Sequence, residues 1–427
     1  MQSFRRYLSA AVAIASIFTA SLSFAQTVAL TGVRVFDGTD KAPLDNATLL
    51  VENGRISAVG PAAQIKIPGG VQQIALKGKT VIPGLVNAHA HVQAETDTKL
   101  AVRDDLQRRL QLYASYGVTT VVSLGSSDLD ELPGIELRNL QREGKADGAR
   151  LYTSGKAVTG RTTEELLAAL DRVSALGVDF IKLRLSDSDK DPSLESLRAV
   201  IDAAHKKGLR TAVHIFSQQD AQKALVAGVD VIGHSVRNQD VTPEFIAALK
   251  ARSVPYVPTL TRDLSVFVYE STPEFFKDPF FRRGEWLYKE QIPTLTDPAY
   301  QNKVRNNPNA QAIKKALEQA KRNVKLLSDG GVSIAFGTDS GAAGNPGRWQ
   351  GYFEHVELEL LVESGLTPKQ TLIAATSAAA KAAGLPDVGS LEVGKLADFV
   401  VLNADPLANI LNTRQIDSVW IGGKRIP

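Results

Sequence analysis

The sequence predicts an α/β protein: a TIM-type (β/α)8 barrel, with a small β-sandwich built from both chain ends. Three observations predict it. Between residues 81 and 385, short apolar runs alternate with helix-like stretches. Both ends carry strand-and-turn texture in place of that alternation. The most chemically versatile side chains stand where the apolar runs stop, which is where a barrel keeps its working face. At 427 residues the chain can hold one large barrel and a smaller accessory unit.

Residues 1–25 read as a secretory signal. Arg5 and Arg6 form the charged start, residues 8–22 the apolar middle, and Ser23-Phe24-Ala25 the cleavage site. Ser9, Ser16, Thr19 and Ser21 interrupt the apolar stretch, which is too short for a spanning helix. The mature protein is therefore expected from Gln26 onward, periplasmic or secreted, with no membrane contact once the signal is removed. Arg5-Arg6-Tyr7-Leu8 also resembles a twin-arginine signal. The chain has no cysteine, so a metal would have to be held by nitrogen and oxygen. The formal charge of +3 falls to +1 without Arg5 and Arg6, and nucleic acid is not an implied partner.

Residues 26–80 alternate as short strands, with Asn53-Gly54 as a hairpin turn. Residues 386–427 repeat that texture around Gly422-Gly423. Neither end can bury a core alone, so the two are expected to pair. Residues 81–385 form the expected barrel. Its strands are read at 81–91, 118–124, 150–154, 180–185, 211–214, 231–234, 254–258 and 333–338. Helices are read at 103–116, 163–176, 194–207, 219–227 and 243–251, each followed by Gly or Ser. Residues 259–331 form a long insertion carrying Phe267, Tyr269, Phe275, Phe276, Phe280, Phe281, Trp286 and Tyr288. It reads equally as a lid or pocket wall and as a helical excursion packed on itself.

His89 and His91, one residue apart on an extended segment, project from one face and can grip one cation. Lys182, His214, His234 and Asp339 each close a later run, and the intervals between 182, 214 and 234 fit single strand–helix steps. Lys182 invites two readings. A neutral amine could take up carbon dioxide as a carbamate and become an oxygen ligand, or an ammonium could meet Asp187 or Asp339. Asp339, in a Gly-rich bend, could bind metal and accept a proton from water, or merely cap the next helix. Arg184 and Arg237, each within three residues of a candidate ligand, are candidates for holding a substrate carboxylate. His355 is a further candidate near the site, with packing or capping as its alternative role.

Together these phrases resemble the metal-dependent amidohydrolase superfamily: Ile82-Pro-Gly-Leu-Val-Asn-Ala-His-Ala-His, Lys182, His214, Ala227-Gly-Val-Asp-Val-Ile-Gly-His234, Gly337-Thr-Asp-Ser-Gly, and Gly389-Ser-Leu-Glu-Val-Gly-Lys-Leu-Ala-Asp-Phe-Val-Val-Leu. The likeness is greatest to the branch of prolidase-like and imidazolonepropionase-like proteins. There a Glu often precedes the histidine of the sixth strand; here Gly233 does. The resemblance implies two divalent cations, zinc first, with His89, His91 and Asp339 on the buried ion and His214 and His234 on the other. It also implies a carboxylated Lys182 between the ions and a tendency to homo-oligomers.

It further implies hydrolysis of an amide C–N bond in a small-molecule substrate, N-acyl amino acid or dipeptide by a metal-bridging hydroxide, with Asp339 handling the proton. A lactone, carbamate or organophosphate ester is the alternative substrate. A non-catalytic periplasmic binding protein on the same scaffold is the alternative of another class.

Overall fold

The computed structural model describes residues 27–427, so the proposed signal at 1–25 lies outside the described residues. Strands from both ends meet in one eight-stranded mixed sheet. Val28–Val35 is its hub. It pairs antiparallel with Leu44–Glu52 and parallel with both Gln72–Ala75 and Thr80–Pro83, which take successive lengths of the same edge. Phe399–Leu402 then pairs with Thr80–Pro83 and carries Ile416–Ile421 on its other side. The two ends were expected as a sandwich; their hydrogen bonds join them into one branched sheet, because a single hub strand serves three partners. Val28, Leu30, Leu49, Phe399 and Trp420 are among its buried core residues. Both residues of the Asn53-Gly54 turn have positive φ, 53° and 73°. A Cβ on Gly54 would come within 2.9 Å of Gly422 O, so the two hairpins pack backbone to backbone.

The run read as one strand over 81–91 is divided. Thr80–Pro83 stays in the end sheet, while Leu85–Ala90 begins the parallel strands. Gly84 is the break. A Cβ there would lie 2.1 Å from Thr119 Oγ1, and its N–H donates to Asp398 O, so only glycine lets the chain pass.

Leu85–Ala90, Val118–Ser123 and Arg150–Thr153 form a three-stranded parallel sheet. Phe180–Arg184, Arg210–His214, Val231–Gly233 and Tyr256–Val257 form a four-stranded one. Helices connect them, including Glu131–Arg142, which the sequence pattern did not announce. Thr162 opens the helix Thr163–Ala175 with a full capping box, and Ser193, Ser217 and Thr242 cap those that follow. Backbone bonds also run between the sheets. Asp179 N donates to Thr153 O and Val158 N to Lys182 O, both at 2.8 Å. Tyr256 N donates to Ser333 O at 2.9 Å and Ala88 N to Phe336 O at 3.0 Å. The expected eighth strand, 333–338, has one isolated bridge to Tyr256 and no ladder of its own. Its neighbour is only two residues long and sits between Pro255 and Pro258.

The insertion is helical, ending in the long helix Pro308–Asp329. Its Tyr269, Phe280, Phe281 and Tyr288 pack with Tyr116, Trp349, Tyr352 and Phe353 in a separate apolar core. These four therefore brace the segment that follows Asp339, while Trp286 stays 44% exposed with Arg108 over its ring. Among the described residues no helix is long and apolar enough to cross a membrane.

Candidate metal centre

The side chains at the parallel strand ends converge. His89, on Leu85–Ala90, is 1% exposed, and its Nε2 lies 2.9 Å from Lys182 Nζ and 3.4 Å from Asp339 Oδ1. His91 Nε2 is 3.0 Å from the same Asp339 oxygen. His234 stands 4.5 Å from the His89 ring, centre to centre, and 4.2 Å from His214. Ligand atoms of His89, His234 and Asp339 all fall within 4.8 Å of one another, close enough to share a cation. The six candidate residues thus form one connected cluster at the strand ends: His89, His234 and Asp339 at its centre, with Lys182 against His89, His91 against Asp339 and His214 against His234.

The backbone is bent for this purpose. His234 and Asp339 both have positive φ, 72° and 57°, unusual for residues with a Cβ and found where surrounding bonds enforce it. Asp339 N donates to His89 O at 2.7 Å, and His234 N to Val257 O at 2.9 Å. Two hydroxyls and a carboxylate complete the brace. Asn87, Thr338 and Ser340 all hydrogen-bond Glu354 Oε1, at 2.8, 2.8 and 2.6 Å. The strand carrying both first histidines is thereby bolted to the bend carrying Asp339.

The imidazoles are oriented from behind. His91 Nδ1 meets Gly125 O at 3.1 Å and His234 Nδ1 meets Thr259 Oγ1 at 2.7 Å, which turns the other ring nitrogen of each toward the centre. Thr259 is fixed in turn, because the buried Glu357 accepts from Leu260 N and Thr261 N at 2.8 and 2.7 Å.

Burial sets the charge states. It pushes His89 down to about 3, with help from Lys182, and holds His214 and His234 well below the ordinary histidine value. Neutral imidazole is the form that binds metal. Burial also brings Lys182 down to about 7, against the attraction of Asp339. Asp339 is pushed up by burial, but His234 and His91 outweigh that and keep its carboxyl well below the usual carboxylate range. Neutral imidazoles, an anionic carboxylate and an amine able to lose its proton make a donor set that suits divalent cations.

Two residues proposed as substrate contacts lie elsewhere. Arg237 has a fully buried side chain, bonded to Asp263 at 2.6 Å and to Ile215 O at 3.0 Å, and is held away from any open surface. His355 is buried between Thr413 Oγ1 and Tyr116 O, at 3.0 and 2.8 Å, and ties the aromatic core to the chain end. Arg184 is exposed at the end of its strand, near enough for its charge to reach Lys182 and His214. The structure adds two arginines that the sequence reading missed. Arg348 Nη1 lies 2.8 Å from Asp339 Oδ2. Arg262 is close enough to be stabilised by Asp339 and to depress His214. Arg262 was findable, since it lies in the first turn of the helix that follows the seventh strand; Arg348, nine residues beyond Asp339 in a glycine-rich loop, gave no local signal.

With this geometry in view, residues 80–426 match the Amidohydrolase family, and the chain belongs to it. It is an enzyme that hydrolyses carbon–nitrogen bonds, and its superfamily depends on metal. Imidazolonepropionase of Deinococcus radiodurans is 25% identical over 408 residues, covering 90% of this chain and 92% of that protein. The 5-methylthioadenosine/S-adenosylhomocysteine deaminase of Bacillus cereus is 23% identical over 90% and 89%. A solved structure from Bifidobacterium longum, assigned as a prolidase, superposes with a TM-score of 0.76 at 25% identity, covering 94% of this chain and 95% of the other.

Proposed function

We propose that this protein is an exported hydrolase that cleaves an amide C–N bond in a small molecule, an N-acyl amino acid or a dipeptide. One observation carries the reading: six strand-end side chains with metal-ligand chemistry, distant in sequence, join in one contact cluster centred on the buried His89, His234 and Asp339. The likeness to a prolidase structure and to imidazolonepropionase supports the amide bond as target. The backbone bonds between the two parallel sheets support a closed (β/α)8 barrel over 81–385, with the accessory unit formed by 26–80 and 386–427. The signal-like residues 1–25 support export to the periplasm or beyond.

His89, His91 and Asp339 would hold one divalent cation, His214 and His234 a second, with zinc favoured by the nitrogen and oxygen donors. When bound, such cations acidify water and polarise a carbonyl. The protein's own residues do the rest. Lys182, buried and with its amine shifted toward the neutral form, would form an N–C bond to carbon dioxide and release the N–H proton to solvent, leaving an anionic carbamate. Asp339, held anionic and aimed inward by the 338–340 bend, takes the proton of the attacking water and returns it to the leaving nitrogen. His91 and His234 hold their orientation through Gly125 O and Thr259 Oγ1.

The test is hydrolysis of N-acyl amino acids, dipeptides, lactones and aryl esters by mature protein supplied with Zn, Mn or Co and bicarbonate. Amide cleavage dominating the panel supports the proposal; ester or lactone cleavage with inert amides refutes it.

A further inference from the structure

Two glutamates on one helix reach the two bends that flank the strand-end cluster. Glu354 and Glu357 stand three residues apart on Tyr352–Glu363, so they share a face, and both are fully enclosed at 0% exposure. Among the described residues their donors are hydroxyl, side-chain amide and backbone N–H groups, all uncharged. Carboxylates this deep and held by neutral donors alone are costly to bury, so packing does not account for them.

Their bonds divide between two targets. Glu354 Oε1 accepts from Asn87 Nδ2, Thr338 Oγ1 and Ser340 Oγ, and Asn87 Oδ1 in turn accepts from His89 N at 3.0 Å. One oxygen therefore holds the strand of His89 and His91 against the bend of Asp339. Glu357 Oε1 accepts from Leu260 N, and its Oε2 from Thr261 N and Thr261 Oγ1, at 2.8, 2.7 and 2.7 Å. These bonds fix the turn that begins at Thr259, whose Oγ1 meets His234 Nδ1 at 2.7 Å; the His234 ring lies 4.2 Å from that of His214. Asp339 and Thr259 have φ of 57° and 49°, a backbone that residues with a Cβ keep only where surrounding bonds enforce it. Each bend has its own glutamate. The two brackets meet at Thr338, whose Oγ1 serves Glu354 and whose carbonyl accepts from Thr261 Oγ1 at 3.1 Å, so the helix also fixes one bend against the other.

We propose that Glu354 and Glu357 are positioning residues with separate tasks, Glu354 shaping the cation subsite of His89, His91 and Asp339, and Glu357 that of His214 and His234. The two-cation arrangement rests on the hydrolase reading above, and the experiment separates the two. Glutamine keeps the size of each side chain and changes its acceptors. In Glu357→Gln an NH2 group replaces one oxygen and faces an N–H donor; in Glu354→Gln three donors lose an anionic acceptor. Zn affinity is measured by chelator competition and Co uptake by visible absorption, on metal-stripped wild type and both variants. His91→Ala and His214→Ala show which affinity and which absorption belong to each subsite. Amide cleavage is followed on the same loaded proteins.

Glu354→Gln should weaken, by about 10–100-fold, the cation that His91→Ala weakens, and Glu357→Gln the cation that His214→Ala weakens, each leaving the other cation unchanged. Glu354→Asp and Glu357→Asp, which restore the charge, should recover part of the loss. Where a glutamine variant does not fold, Ser340→Ala and Thr261→Val replace it; each lacks one hydroxyl and should show the same selectivity at about 2–10-fold. Wild-type affinities in both variants, or equal weakening of both cations in each, overturn the division and leave the hydrolase reading standing. Uptake of one cation by a wild type that still cleaves amides does the same. Selective weakening in a protein that cleaves no amide retains the division and overturns that reading. Uptake of no cation, with no cleavage, overturns the two together.

Discussion

Two buried regions of this protein are made of opposite materials. At the strand ends, His89, Lys182, His234 and Asp339 bring imidazole, amine and carboxylate out of water and against one another. Under the insertion, Tyr269, Phe280, Phe281, Tyr288, Trp349 and Phe353 make an almost wholly apolar body with rings 4.8–6.5 Å apart. Burying ionisable groups costs free energy unless they are paired or coordinated, whereas burying aromatic rings stabilises. The contrast separates what the molecule does from what holds it. The regions touch through adjacent residues: Trp349 is locked in the aromatic body while Arg348 reaches Asp339. The insertion therefore acts as a brace for the loop beyond Asp339.

Substitutions in the two regions should then fail differently. Lys182→Ala should cut kcat/KM roughly 1000-fold or more, since the oxygen donor that the proposed Lys182 carbamate would supply is lost with its charge. Its melting temperature should hold or rise, and short carboxylic acids should return part of the rate; a variant with full activity would break the contrast. Phe281→Ala should do the reverse, lowering stability by about 3–5 kcal/mol in denaturant titration while the folded fraction keeps its metal content. Thr259→Val tests the seam. Loss of its hydroxyl from His234 Nδ1 should weaken metal binding about 10–100-fold by chelator competition, with little change in unfolding midpoint of the metal-free protein.

The smallest effect expected concerns pH. His355, lowered by burial to about 3 from 6.5, is neutral in the folded protein where the unfolded chain would be charged. The stability it contributes is present above pH 6.5 and is lost as pH falls from 6.5 toward about 3. The melting-temperature advantage of wild type over His355→Leu should therefore shrink across that window. An advantage that grew on acidification would contradict the assignment of His355 to the apolar core.

The strand-end cluster was legible because each candidate closes an apolar run of its own, a pattern that survives errors in the strand boundaries. What resisted reading was whatever depends on contacts distant in sequence. Gly84 divides the 81–91 run because Thr119 occupies its Cβ position, a fact absent from the local pattern. The run 333–338 looks like a strand and makes only one bridge, because its neighbour between two prolines is too short to pair with it. Arg237 sits where a substrate contact was expected, yet Asp263, twenty-six residues on, claims it. The insertion showed its aromatic residues plainly but not their partners, since Tyr116, Trp349 and Tyr352 lie outside it.

The most direct measurement is metal content by mass spectrometry on protein loaded with Zn and bicarbonate, wild type beside Lys182→Ala and His234→Ala. About two cations per folded chain are expected for wild type, with clear loss in both variants. Wild type that retains no metal after loading, or variants that retain as much as wild type, would contradict the account.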